Sequence, residues 1–307
     1  MRELNISLLK KGDIVEEYRE KTLVIDEQKK ITFWQTFFRN KAAILAAIII
    51  VIFLLCAIFA PLIAPFPYDE QNLPEMMQAP SANHIFGTDE FGRDIFSRVI
   101  YGTRISLQVG FFSVAISVII GTILGALAGY YGGIVDQIIS GFIDIVSSFP
   151  VSLLAIAVVA SLGRSLVNLI IVISMISWAG YARIIRGQVL TLKEWDFVEA
   201  ARALGASNLR IIFKHVLPNA IAPIIVMSTL EIPKAIIVES TLSFLGLGVP
   251  PPTPSWGSIM SAGRAYIMQA PWITMSPGLA MMAIVFAFNL FGDALRDTLD
   301  PRLNKQI

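Results

Sequence analysis

Uncharged apolar runs long enough to cross a bilayer set the terms for this sequence. A membrane-spanning α-helix needs about 20 mostly apolar residues. Residues 42–64, 105–135, 165–182 and 265–292 contain no Asp, Glu, Lys or Arg. Two more blocks are apolar with few charges: 136–162, with Asp136 and Asp144 near its start, and 220–238, which holds Glu231 and Lys234. Six blocks predict an all-α integral membrane protein with six transmembrane helices. Composition supports this, since 55% of the 307 residues are hydrophobic and 15% charged, against about a quarter charged in soluble domains. The formal charge of +1 leaves no footprint for nucleic acid. A single cysteine, Cys56, excludes a disulfide framework and a thiolate metal cage. The two histidines, His84 and His215, lie far apart in sequence.

Basic residues orient the spans, because loops rich in Lys and Arg stay on the cytoplasmic side. Nine precede the first block, from Arg2 to Lys41, and six (Arg183, Arg186, Lys193, Arg202, Arg210 and Lys214) lie between the fourth and fifth. Arg296, Arg302 and Lys305 follow the sixth. Residues 65–104 hold three basic residues against six acidic ones. The expectation is a multi-pass protein with both termini and the 193–218 loop in the cytoplasm. It divides into a cytoplasmic N-terminal segment (1–41), a first transmembrane helix (42–64), an extracytoplasmic loop (65–104), a transmembrane core (105–295) and a cytoplasmic tail (296–307).

About 40 largely polar residues precede an apolar block too long for a signal h-region, so the N-terminus does not read as a cleaved signal. Thr32 and Gln35 have capping-box spacing, and Phe33, Trp34, Phe37 and Phe38 fall on one helical side. This predicts a short helix in the membrane interface, where aromatic rings prefer to sit. The alternative is the start of a longer first span.

The loop KEWDFVEAARALGASNLRIIFKHVLP, residues 193–218, carries the most information. Asp196 is placed to cap a helix, with Glu199 three residues on. Gly205 stands where a helix C-terminus turns left-handed. Ser207 is placed to cap a second short helix, and Pro218 to end or redirect it. Phe197, Ala200, Ala201 and Leu204 form one apolar stripe; Leu209, Ile212, Phe213 and Val216 form another. Two short amphipathic helices of this kind present a rigid knob to a partner.

The segment resembles the E-A-A-x-x-x-G loop, with its downstream Leu-Pro, of permease subunits of ATP-binding-cassette (ABC) importers. Glu199, Ala200, Ala201, Gly205, Leu217 and Pro218 match; His215 replaces a residue that is often apolar. Asp196, Phe197, Arg202, Leu204 and Ala206 complete the matching loop. Further stretches, FGTDEFGRDIFSR (86–98), SFLGLGVP (243–250), PSWG (254–257), GDALRD (292–297) and LDPR (299–302), resemble the C-type permease of oligopeptide and dipeptide importers. The likeness covers the chain after about Thr32. It implies a type I importer permease fold in a prokaryotic inner membrane, with 193–218 docking onto a cytoplasmic ATPase. The implied partners are a homologous permease, two ABC ATPase subunits holding ATP and Mg, an extracytoplasmic binding protein, a peptide substrate and membrane lipid. Nickel and glutathione importers share the subfamily, so the cargo stays open among them.

The residues also have readings of their own. Asp89 and Arg93, and Asp94 and Arg98, are four apart and suit helical ion pairs bracing the outer face. Gly246, Gly248 and a run of prolines from Pro250 define an irregular loop expected, with Trp256, to line the outer mouth of a pathway. Asp144, Glu231 and Lys234 are costly in hydrocarbon. They read either as pathway or subunit-seam charges or as structural pairs; Asp136 reads as interfacial. The sequence contains no Gly-Lys dipeptide, hence no P-loop, and no H-E-x-x-H or G-x-S-x-G. No catalytic residue, cofactor or metal ligand is expected on this chain, and ATP hydrolysis must come from a partner. An ion-coupled secondary transporter using Asp144 and Glu231 would leave the 193–218 loop unexplained, and a membrane enzyme lacks a catalytic constellation.

Overall fold

The computed structural model describes residues 39–299, so the expected interfacial helix around Thr32 lies outside the described residues. Asn40 begins the first span, α1 (Lys41–Ile58), by accepting from the amides of Ala42 and Ala43 at 3.0 and 3.2 Å. A short helix, α2 (Ala60–Ile63), follows. The second span, α3 (Ile95–Tyr131), starts at Asp94, whose carboxylate accepts from the Ser97 amide at 2.7 Å. Its 37 residues reach about 55 Å at 1.5 Å per residue.

The third block departs from expectation. Instead of one straight helix it forms α4 (Gly133–Ser147) and α5 (Val151–Leu162), bent by 89°. Pro150 lies at the break; it has no amide to donate and disfavours helical geometry at Phe149. The fourth span is α6 (Leu166–Leu192), capped by Ser165, which accepts from the Asn168 amide.

The loop after α6 contains α7 (Asp196–Ala203) and α8 (Asn208–Ile211). Here too the structure corrects the sequence. Pro218 does not stop the second helix. A π-helical turn, Ile212–Val216, and a 3-10 turn, Leu217–Ala220, absorb the missing proline bond. The chain runs on into α9 (Ile221–Phe244), so Asn208–Phe244 forms one long apolar stretch. Then come α10 (Trp256–Gly263) and the last span, α11 (Trp272–Leu299). Five described helices are long and apolar enough to cross a membrane, or six if the bent pair counts as one span.

One seam dominates the packing. Gly121, Gly125 and Gly129 lie one turn apart on α3, against the α6 backbone. A Cβ on Gly125 would sit 2.5 Å from the Ala182 carbonyl, and one on Gly121 2.4 Å from the Tyr181 Cβ. Only hydrogen at these positions lets the helix axes approach this closely, the small-residue packing used inside membranes. Above the glycines, hydroxyls cross the seam: Ser117 Oγ donates to the Ser174 carbonyl and Ser174 Oγ to that of Ser113, both at 3.2 Å. The seam therefore joins two ends of the molecule, one built from residues 65–98 and one from the loop after α6.

Candidate functional site: a helical hairpin, a charged cavity and a braced end

The hairpin of α7 and α8 is welded to the spans by one face and bare on the other. Trp195, not Asp196, occupies the cap position of α7, and its side chain makes no capping bond. Asp196 and Glu199 instead sit in the first turn, where negative charge complements the helix dipole. Ser207 does occupy the cap position of α8, without a side-chain bond. Gly205 adopts φ +80°. The Ala206 amide then donates to the Ala201 carbonyl at 3.1 Å, and that of Gly205 to the Arg202 carbonyl at 3.0 Å. This is the glycine C-cap that the sequence predicts.

Inward, Val198, Ala201, Ile211, Ile212 and Val216 pack with Ala126 of α3 and Ile185, Val189 and Leu192 of α6. Phe197, Ala206 and Leu217 are partly buried against the same cluster. Outward, Leu204 is 88% exposed, and Leu209, Phe213 and Trp195 are exposed as well. The predicted stripes are thus split: Ala201 faces in and Leu204 out, Ile212 in and Phe213 out. Ala200 and Pro218 are exposed. A polar hollow of about 290 Å³ beside α7 is lined by Tyr130, Lys193, Glu194, Glu199 and Arg202. The Tyr130 hydroxyl beside Arg202 raises that guanidinium's pKa above its ordinary value, so it stays charged.

Three ion pairs link charges on or beside the spans among the described residues. Lys234 Nζ donates to Glu231 Oε1 at 2.6 Å across one turn of α9. Arg183 of α6 reaches Asp144 of α4 at 3.3 Å. Arg186 grips Asp136 with two bonds, 2.5 and 2.6 Å, nearer the hairpin end. Arg183, Glu231 and Lys234 line one cavity of about 480 Å³, formed at the bend between α4 and α5 and walled by α6 and α9.

At the opposite end, within residues 65–98, His84, Thr88, Asp89, Arg93, Asp94 and Arg98 form a buried polar brace. Asp89 receives Arg93 Nε at 2.6 Å and lies 3.5 Å from Arg98 Nε. The expected Asp94–Arg98 pair does not form. Asp94 is committed to the α3 cap and lies 2.9 Å from His84 Nδ1, while Arg98 donates to the Tyr68 carbonyl. Asp89 and Arg93 flank a turn before α3 and are not on a helix. Trp272 Nε1 ties it to α11 through the Thr88 carbonyl.

Gly246 and Gly248 line a cavity of about 510 Å³ at this end, with Arg93, Arg98 and Arg164 on its walls. Trp256 does not join them. It is fully buried, with Nε1 donating to the Val99 carbonyl and its ring against Gly102. An apolar ring with one donor serves as a plug once a carbonyl is within reach.

Sequence reasoning missed two features. The Gly121, Gly125, Gly129 spacing was visible as a small-residue repeat. Glu239 falls one residue beyond the apolar block 220–238, although the helix continues to Phe244. It is fully buried, with Oε1 accepting from Ser243 at 2.6 Å and Oε2 from Ser106 and Ser240 at 3.3 Å. Among the described residues no cation touches it.

Comparison with known proteins gives a consistent picture. Residues 121–305 match the family described as binding-protein-dependent transport system inner membrane component. Residues 31–80 match the N-terminal TM domain of oligopeptide transport permease C. The chain is 49% identical over 282 residues to a dipeptide transport system permease protein, DppC, of Alkalihalophilus pseudofirmus, covering 91% of this chain and 93% of that one. It is 46% identical over 274 residues to a glutathione transport system permease protein, GsiD, of Escherichia coli, covering 88% and 90%. Among solved structures it resembles an inward-facing MetNI methionine ABC transporter, with TM-score 0.55 and 19% identity over 67% of this chain and 98% of that one. At that identity the likeness speaks for the fold, that of an ABC-importer permease.

Proposed function

The chain belongs to the family of binding-protein-dependent transport system inner membrane components, and from that premise we propose that it is the permease subunit of an ATP-driven importer of dipeptides or oligopeptides. The observation that carries the cargo is the 49% identity with a dipeptide permease over nearly the full length of both chains. Glutathione is the second reading, favoured by the 46% identity to GsiD proteins.

In this reading a second, homologous permease completes the pathway. Two ATPase subunits with ATP and Mg sit beneath it, and an extracytoplasmic binding protein delivers the peptide. The hairpin, with both chain termini, faces the cytoplasm. Leu204, Leu209 and Phe213 enter a cleft on the ATPase, with Asp196, Glu199, Ala200 and Arg202 around them. Apolar anchors inside a polar rim are what a specific protein interface needs. ATP-driven closure of the ATPases moves the hairpin. Because its inner face shares a core with α3 and α6, and α8 continues into α9, the motion reaches three spans at once. Asp144, Glu231 and Lys234 belong to the passage between them, and Gly246 and Gly248 to its outer mouth.

The test is deletion of residues 196–205, scored in the reconstituted assembly. The proposal expects loss of ATPase co-purification and of ATP-dependent peptide uptake. Retention of both would refute it, as would uptake that survives ATP depletion and collapses with the proton gradient.

A further inference from the structure

We propose that the cavity at the bend of α4 and α5 recognises the two charged ends of a short peptide, Arg183 taking the terminal carboxylate and Glu231 the terminal ammonium. The inference rests on the peptide-importer reading and adds to it the part of the cargo that is read.

The argument begins with what different short peptides share. Their side chains vary, but each free peptide carries an ammonium at one end and a carboxylate at the other. A transporter that accepts many sequences can grip only those ends and the backbone between them. The cavity offers both signs on separate walls. Its volume of about 480 Å³ lies in the range of small-molecule sites. Its lining is mainly apolar, with Phe149, Ile176 and Met227 among it, and Ser147 and Ser177 as neutral polar groups. Arg183, on α6, is a planar fork suited to a carboxylate. Glu231, on α9, is an acceptor suited to an ammonium.

Each charge already has a counter-ion. Arg183 bonds Asp144 at 3.3 Å and Ser147 Oγ at 3.2 Å, and Glu231 holds Lys234 at 2.6 Å. The partners are not locked in: the Lys234 side chain is 66% exposed and that of Asp144 75%. The empty cavity is therefore electrically balanced, and so is the cavity holding a zwitterion. An incoming peptide exchanges partners with Asp144 and Lys234 without adding net charge to the cavity. A net charge added between spans is costly, so a balanced exchange is favoured.

The test uses the complete assembly (both permeases, the ATPases and the binding protein) in ATP-loaded proteoliposomes, with radiolabelled L-alanyl-L-alanine as probe. The variant is Glu231→Gln with Lys234→Met, which removes both charges together and leaves no unpaired ion to unfold the span. We expect uptake to fall at least tenfold while the purified assembly keeps its full complement of subunits. Arg183→Gln should act likewise, and Arg183→Lys should recover part of the uptake. The swap Glu231→Lys with Lys234→Glu separates recognition from mere pairing. It keeps an ion pair on the same helix turn but inverts its ends, so uptake should remain low. Wild-type uptake in the swap, or in the neutral double variant, would overturn the inference. Wild-type assembly that carries no peptide at all would instead sink the peptide reading beneath it.

Discussion

The two ends of this molecule solve the problem of polar and apolar exposure in opposite ways. At the end built from residues 65–98, charged groups find partners inside the chain: Asp89 serves Arg93 and Arg98, Asp94 serves the α3 terminus and His84, and Trp272 seals the Thr88 carbonyl. At the hairpin end the glycine turn is closed by backbone bonds, yet Leu204, Leu209 and Phe213 stay in the open. One end holds its buried charges with its own residues, although Leu73, Ile85 and Phe91 are exposed there too. The other, in the proposed reading, is covered by a partner. Between them runs the α3–α6 seam, tight because glycines replace side chains along it.

That contrast makes ordered predictions. The largest effect belongs to the braced end. Asp89→Ala strands buried Arg93 and Arg98, and loss of one member of a buried ion pair costs about 3–5 kcal/mol. Thermal unfolding in detergent should drop accordingly, while the hairpin's affinity for the ATPase in the folded protein stays the same. Leu204→Glu should do the reverse. Its unfolding midpoint should match wild type, because the side chain touches little, but ATPase binding should weaken about 30-fold or more, the loss of roughly 2 kcal/mol typical of a central anchor. An unfolding shift as large as that of Asp89→Ala would erase the distinction between the ends.

Gly205→Val is smaller. It forces a branched residue into φ +80° at about 1–2 kcal/mol, and Gly205→Asn should recover most of that in the same melting assay. Least of all should follow from Glu239→Gln. The amide keeps an oxygen for the serine hydroxyls, so the change should stay within about 1 kcal/mol, whereas Glu239→Leu leaves buried hydroxyls without an acceptor and should cost more. Equal melting for the two variants would show that the serine cage does not hold this region.

Much of this was legible in sequence, for reasons that differ by region. Charge-free runs announced the spans because hydrocarbon tolerates little else. Gly205 announced a helix end because few residues adopt its backbone. The bend at Pro150 went unread because proline inside a membrane helix has two outcomes: Pro233 and Pro277 lie within continuous α9 and α11. At Pro218 an end or a redirection is expected, and a π turn beside it carries the helical course through. The four-residue spacing from Asp94 to Arg98 suggested a pair, but capping competed for the carboxylate and won. Trp256 looked like a mouth residue because a flanking proline-rich loop is irregular, yet Gly102 opens the slot that buries it. Such outcomes depend on which distant residues arrive at one place, and local spacing does not encode that.

The central claim is that the bare face of the hairpin is covered by an ATPase. With Cys56, the only native cysteine, replaced by alanine, a single cysteine at Leu204 can be joined to its neighbours in the purified assembly by a short thiol-to-amine crosslinker. The account predicts an adduct containing an ATPase subunit, and none from a control cysteine at Thr253 beside the braced end. An ATPase captured from Thr253 and not from Leu204, or a Leu204→Cys thiol that a membrane-impermeant maleimide labels from outside intact cells, would contradict it.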